Sequence, residues 1–303
     1  SDEMEIKPWT TEFTLDFYGA KTECKKYRGN FCRQILKNLY RLGANTSRGS
    51  LESIYTKENI GKLNIMMDNM REEFSDYAKK MDCVSDDYRL KMLERIKNTK
   101  IKQINSLDYQ KISASCKFSA CCMDTHTTHP KIFFPPHYIT LMNNGFEKSI
   151  EATMMHEMAH AMAGGYDKDQ SKFLNCKGHR GLCIKRKYHL GKYEKLTASK
   201  KNIFFEEAFA DDVANDILDN RLRKATGENK KEIFEGILAK ACTQVGKDNT
   251  YDKWESDHPL DADRAKFLLK KPAVIKAMGC ENRFEIKPNI SCGPFIKEYR
   301  INE

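Results

Sequence analysis

The chain has no C-x-x-C pair, no apolar run approaching the ~20 residues of a membrane span, no internal repeat and no low-complexity tract. Each absence removes a class of protein. Without C-x-x-C, a zinc ribbon or thioredoxin-type centre loses the spacing that its chemistry needs. Without a long apolar run, no membrane-spanning helix is expected. Without repeats, 303 residues read as one large domain or two modest ones.

What is present argues for a packed core. Charged residues make up 31%, yet 16 Phe and 13 Tyr set the chain apart from disordered sequences. The net charge is +9, but Lys and Arg are spread along the chain. The densest basic cluster is Lys185-Arg186-Lys187, followed by Lys192, Lys195, Lys200 and Lys201. It reads as a solvated surface rather than a strong nucleic-acid signal. Eleven cysteines are many for a cytosolic protein, and several lie in near pairs. These are Cys24 and Cys32, Cys116 with Cys121 and Cys122, Cys176 and Cys183, and Cys280 and Cys292. Disulfides in an exported (periplasmic or secreted) protein are the favoured reading, with a cytoplasmic location still open. Cys242, on an apolar helical face, is the candidate for a buried free thiol.

Residues from about 11 to 110 read as mostly helical. Ile60, Leu63, Met67, Met70, Phe74, Tyr77 and Met81 recur at three- and four-residue steps and predict one buried helix face. Asp86 and Asp87 predict the cap of a further helix through Leu90, Leu93 and Ile96. After about residue 112 the character changes. Ile132-Phe133-Phe134, Pro135-Pro136 and His137 to Met142 predict short β-structure at a sheet edge, ended by a turn at Asn143-Asn144-Gly145. A helix from about Glu147 to Ala163 follows, stopped by Gly164-Gly165. Later helices are expected from about Phe204 to Lys224, through Ile233, Phe234, Ile237, Leu238 and Ala241, and near 261–270 and 272–278.

The helix from Glu147 carries His156-Glu157-Met158-Ala159-His160, an H-E-x-x-H sequence. Histidines at i and i+4 share one helix face, so both can reach one ion about 2.0–2.1 Å from each ring nitrogen. Glu157 beside the first histidine can take a proton from a metal-activated water. Catalytic zinc wants a third protein ligand and an open position. Glu207, in Phe205-Glu206-Glu207-Ala208-Phe209-Ala210-Asp211, is the better candidate for it. Asp211 lies four residues on and can bond the non-ligating nitrogen of a zinc-bound histidine. Glu206 lies about a hundred degrees round the helix and has Ala210 at its own i+4 position. Small Ala208 and Ala210 would let the two helices approach closely.

Three motifs then agree. HEMAH, Glu207-x-x-Ala210-Asp211 and His258-Pro259-Leu260-Asp261-Ala262-Asp263-Arg264 resemble the H-E-x-x-H, E-x-x-A-D and H-P-x-x-x-x-R elements of HtpX-like and CAAX-prenyl-endopeptidase-type gluzincin metallopeptidases. The resemblance covers about residues 130–270. It departs at Ala265, where an aliphatic residue is usual, and in lacking the membrane spans of HtpX itself. It implies one catalytic Zn2+ held by His156, His160 and Glu207, with Glu157 as general base and then proton donor. It further implies that His258 stabilises the oxyanion, with Arg264 supporting its segment and Asp211 orienting a ligand. The stretch with Tyr138, Ile139 and Thr140 would be an edge strand pairing with extended substrate.

The expectation is an α+β, predominantly helical protein: a zincin-like metallopeptidase domain over 112–303 with a small β-sheet, and a helical N-terminal region over 1–111. Its activity would be zinc-dependent endopeptidase cleavage of protein or peptide substrates by a monomer. One rival is a SprT-like, DNA-associated protease with His179, in Gly178-His179-Arg180-Gly181-Leu182, as third ligand. Another is a non-catalytic, disulfide-rich binding or chaperone protein. His126, His129, His137 and His189 could form a secondary metal site, but their irregular spacing favours surface or packing roles.

Overall fold

A computed structural model describes residues 51–81, 84–113, 116–117, 119–164, 198–244, 264, 267–269 and 271–277. The described architecture is mostly helical with one small sheet. Its elements are α1 (Leu51–Ile54), α2 (Lys57–Lys80), α3 (Asp86–Asn98), β1 (Lys100–Ile101), α4 (Ser106–Lys111), β2 (Cys121–Met123) and β3 (Lys131–Phe133). They continue with α5 (Pro136–Leu141), a wide π turn (Met142–Phe146), α6 (Glu147–Ala163), α7 (Ala198–Lys224), α8 (Gly227–Gln244) and α9 (Pro272–Ala277).

The N-terminal helices follow from caps and stripes. Thr56 caps α2 by accepting a hydrogen bond from the Asn59 amide at 3.2 Å. Every member of the predicted stripe from Ile60 to Met81 is buried. For α3 the cap is Ser85 rather than Asp86 or Asp87, which occupy the first turn and complement the helix dipole. Its inward face is Tyr88, Met92, Arg95 and Ile96, while Leu90 is 66% exposed.

A larger correction concerns residues 137–142. They form helix α5 and the start of the π turn, not a strand. The strand ends at Phe133, and Pro135 and Pro136 open the helix. Proline's missing N–H and fixed φ suit a first helical turn, so the pair that suggested an edge starts a helix instead. Ile139 is buried in the core, and the Thr140 hydroxyl donates back to the Pro136 carbonyl at 3.3 Å. Tyr138, Ile139 and Thr140 therefore do not present an edge for strand pairing.

Strand order is β1-β3-β2, with β1 parallel and β2 antiparallel to β3. Ile101 stands opposite Ile132, and Cys122 also faces Ile132. Among the described residues β2 pairs on one side only. Helix α6 is the centre of the molecule: α7 and α8 lie along it, α2 and α3 cover another side, and β2 and β3 pack on it too. Buried nearly all round, it carries Met and Ala on every side instead of an apolar stripe. Close approach is built in. A Cβ at Gly236 of α8 would fall 2.4 Å from the Lys148 Cβ of α6.

One hydrophobic core unites these parts, running from Ile60 and Phe74 through Ile132 and Met155 to Val213, Ile237 and Val274. It contains residues from both sides of position 111. No described helix is long and apolar enough to cross a membrane.

Candidate metal centre

Helix geometry places His156 and His160 one turn apart on α6, and α7 crosses that face with Glu207. The three donor atoms form a small triangle. His156 Nε2 lies 3.0 Å from Glu207 Oε2, His160 Nε2 lies 3.2 Å from the same oxygen, and the two ring nitrogens are 3.1 Å apart. Four-coordinate zinc with bonds of ~2.0–2.1 Å has ligand–ligand edges of about 3.3–3.4 Å, so the triangle fits an ion with little adjustment. Among the described residues it is the one group of three or more His, Cys, Asp or Glu donors close enough to hold a metal. Glu206, the rival carboxylate, is not part of it.

The electrostatics favour a cation at this point. Burial pushes the His160 imidazole down, but Glu207 first, then Glu157 and Glu206, outweigh it and raise its pKa to about 9. A metal ion would take the place of that proton, because imidazole binds metal through the lone pair of its neutral form.

Behind the triangle lies a relay of fixed charges. Asp211 Oδ1 is 2.9 Å from His156 Nδ1, on the ring edge away from Glu207. A proton on Nδ1 leaves Nε2 as a lone-pair donor, the tautomer a metal ligand needs. Arg264 grips the same carboxylate through two bonds, Nε to Oδ2 at 2.6 Å and Nη2 to Oδ1 at 2.9 Å. Burial alone would raise the Asp211 pKa, yet Arg264 and then His156 hold it well below the ordinary carboxylate range. Arg264 thus reaches the orienting aspartate directly. Small residues make the crossing feasible: Ala159 on α6, with Ala208, Ala210 and Ala214 on α7, are fully buried.

Glu157 is buried, at 6% exposure, on a helix that β2 and α5 also touch. Its charge is felt there. Burial, then Glu157 and Asp124, push the Cys122 thiol well above its usual value. Burial, followed by Glu157, raises the Tyr138 phenol to about 12, and this phenol also has a backbone hydrogen bond to Ala120. Tyr138 therefore lies near the general-base candidate, carried there by a helix.

Several participants had no signal as motifs. Lys240 of α8 is buried and donates to the Ala152 carbonyl at 3.2 Å, one turn before His156. Burial, with a contribution from Arg264, lowers its pKa to about 8 against the pull of Asp211 and Glu157. Lys271 pairs with buried Asp216, which also accepts a bond from the Tyr77 hydroxyl at 3.1 Å. Asp219 accepts from the Ala273 amide at 2.7 Å. These acids dock the C-terminal segment on α7. Asp212, Asp216 and Asp219 recur at four- and three-residue steps, a core-face spacing hidden by polar side chains.

His258, His179 and His189 lie outside the described residues, as do the basic cluster at 185–187 and the cysteine pairs 24/32, 176/183 and 280/292. The side chain of Cys242 is likewise outside them. His126 and His129 are exposed. Cys116 and Cys121 form a disulfide, while Cys122 is a free thiol. Compared with family models, curated proteins and solved structures, the chain matches none.

Proposed function

We propose that the chain is a zinc-dependent metalloendopeptidase of the HtpX-like gluzincin type. The observation that carries this reading is the 3.0–3.2 Å triangle of His156, His160 and Glu207 donors, backed by Asp211 on the far nitrogen of His156. A purely structural site has no use for a glutamate beside the first histidine, and Glu157 is held there, buried, on the helix of both ligands.

Zinc bound at this site would polarise the scissile carbonyl and acidify the attacking water. Glu157 would be the general base for that water and the proton donor to the leaving amine. Asp211, locked by Arg264, holds the His156 ring in the ligating tautomer. His258 is assigned to the developing oxyanion by the motif resemblance alone. The rim that meets an extended peptide is reassigned from 138–140 to β2, the edge strand packed on α6 beside Glu157.

The test is cleavage-site profiling of a mixed proteome by wild type and Glu157→Gln, with zinc content measured on both. Cleavage by wild type, loss in the variant and equal zinc would support the proposal. An identical pattern from both would refute it. Zinc retained by Glu207→Ala but lost by His179→Ala would replace it with the SprT-like reading.

A further inference from the structure

Strand β2 is the thinnest element beside the centre. It has three residues, one ladder neighbour and a free outer edge among the described residues. Because alternate side chains point to opposite faces, Cys121 and Cys122 look in opposite directions. Cys122 packs against the main core on the α6 side. Cys121 and Met123 pack against a second, smaller cluster of Ile104, Ile112, Cys116 and Phe133. The Cys116–Cys121 disulfide joins the first residue of β2 to that cluster. The strand is thus held by three ladder pairs, side-chain packing on both faces and one covalent bond.

Two features make the bond addressable. Cys121 is half-buried, whereas Cys116 is buried, so any attack by a small reductant comes from the Cys121 side. Cys122, adjacent in sequence, points to the opposite face of the strand and is poorly placed to attack the disulfide. Shuffling is therefore disfavoured, and the bond has two well-defined states.

We propose that the Cys116–Cys121 disulfide is a redox clasp on the edge strand: oxidised, it orders β2 for pairing with an extended peptide; reduced, it releases β2 and leaves the metal cradle intact. In the opening step a dithiol passes two electrons and two protons to the bond. The S–S bond breaks, Cys116 and Cys121 become thiols, and the reductant closes to its own cyclic disulfide. The cradle is expected to persist because its donors sit on α6 and α7 and are braced by Asp211 and Arg264. The clasp rests on the reading of β2 as the substrate-pairing strand, so its test includes a measurement that needs no activity.

Native protein is treated with a dithiol, opening of the bond is verified by alkylation and peptide mass, and amide exchange is followed. Peptides covering 121–123 are expected to exchange at least about tenfold faster, with α6 and α7 unchanged. For a peptide substrate KM should rise while kcat and bound metal stay constant. Any other disulfide would be reduced too, so C116S/C121S isolates the clasp: its β2 should exchange fast without reductant and gain nothing on adding it. If that variant does not fold, the mapped wild-type experiment still decides. Unchanged exchange at 121–123 with the bond open, or equal acceleration in α6, would overturn the proposal. Faster exchange confined to β2 in a protein that cleaves nothing would uphold the strand release and reject the peptidase reading.

Discussion

The two sides of α6 are built on opposite plans. Behind the candidate metal ligands, α7 and the C-terminal segment meet through buried charges whose partners are fixed: Asp211 with His156 and Arg264, Asp216 with Tyr77 and Lys271, Asp219 with the Ala273 amide. In front, the Glu157 charge reaches Cys122 of β2, a three-residue strand with one ladder neighbour among the described residues and one disulfide. The rear is over-determined and the front is lightly held. Ligands must stay within a few tenths of an ångström, which needs side chains locked by their own partners. A surface that takes in an extended chain must keep backbone groups unpaired, and an edge strand does so by having no second neighbour.

The largest expected effect separates chemistry from cradle. Glu157→Gln should lower kcat by about 10²–10⁴, the usual weight of a general base, without loss of bound zinc or melting temperature. Loss of zinc in this variant would mean that front and rear are not separable. Next is the rear itself. Lys271→Met leaves the Asp216 carboxylate buried without its ammonium and should cost about 3–5 kcal/mol, read by denaturant unfolding.

The same pair predicts a pH dependence. Burial works against the Lys271 charge, but Asp216, then Asp212 and Asp219, outweigh it and raise its pKa. The pair's contribution is therefore complete below the unfolded lysine value of about 10.4 and is lost as pH climbs through the higher folded value. Wild-type melting temperature should fall more steeply than that of Lys271→Met above this point. Parallel curves would remove the ion pair from the account.

Smaller again, Asp211→Asn should weaken zinc about 10- to 100-fold in a chelator competition, because the amide no longer favours the ligating tautomer of His156. The mildest comparison is remote from both sides. Ser85→Ala should cost about 1 kcal/mol, the worth of one helix cap, and leave zinc affinity untouched.

Much of the rear was legible in the residues. The bounds of α6 follow from Glu147, the Met/Ala run and Gly164, whose φ of +73° is one that glycine adopts freely. At Gly164 a Cβ would also meet the Arg95 guanidinium at 2.4 Å. Glu207 stood out over Glu206 because Asp211 sits at its i+4 position and shares its face. The front was not legible. Cys121-Cys122-Met123 is too short to show alternation, and Pro135-Pro136 suits a strand edge as readily as a helix start. Of the expected face Leu90, Leu93 and Ile96, Ile96 is buried and Leu93 packs half-buried against the core, but Leu90 is exposed because α3 turns Tyr88, Met92 and Arg95 inward.

From residue order alone came the helix that carries both histidines, the spacing that lets them share an ion, and the carboxylate pair four residues apart on a second helix. These are local facts of 3.6-residue periodicity, and no tertiary contact is needed to state them. The crossing that brings Glu207 within 3.2 Å of both imidazoles was decided by the fold, as were the grip of Arg264 on Asp211 and the helical state of 138–140. Each depends on which elements become neighbours. That follows from the burial of whole faces against one another, and no short window of sequence contains it.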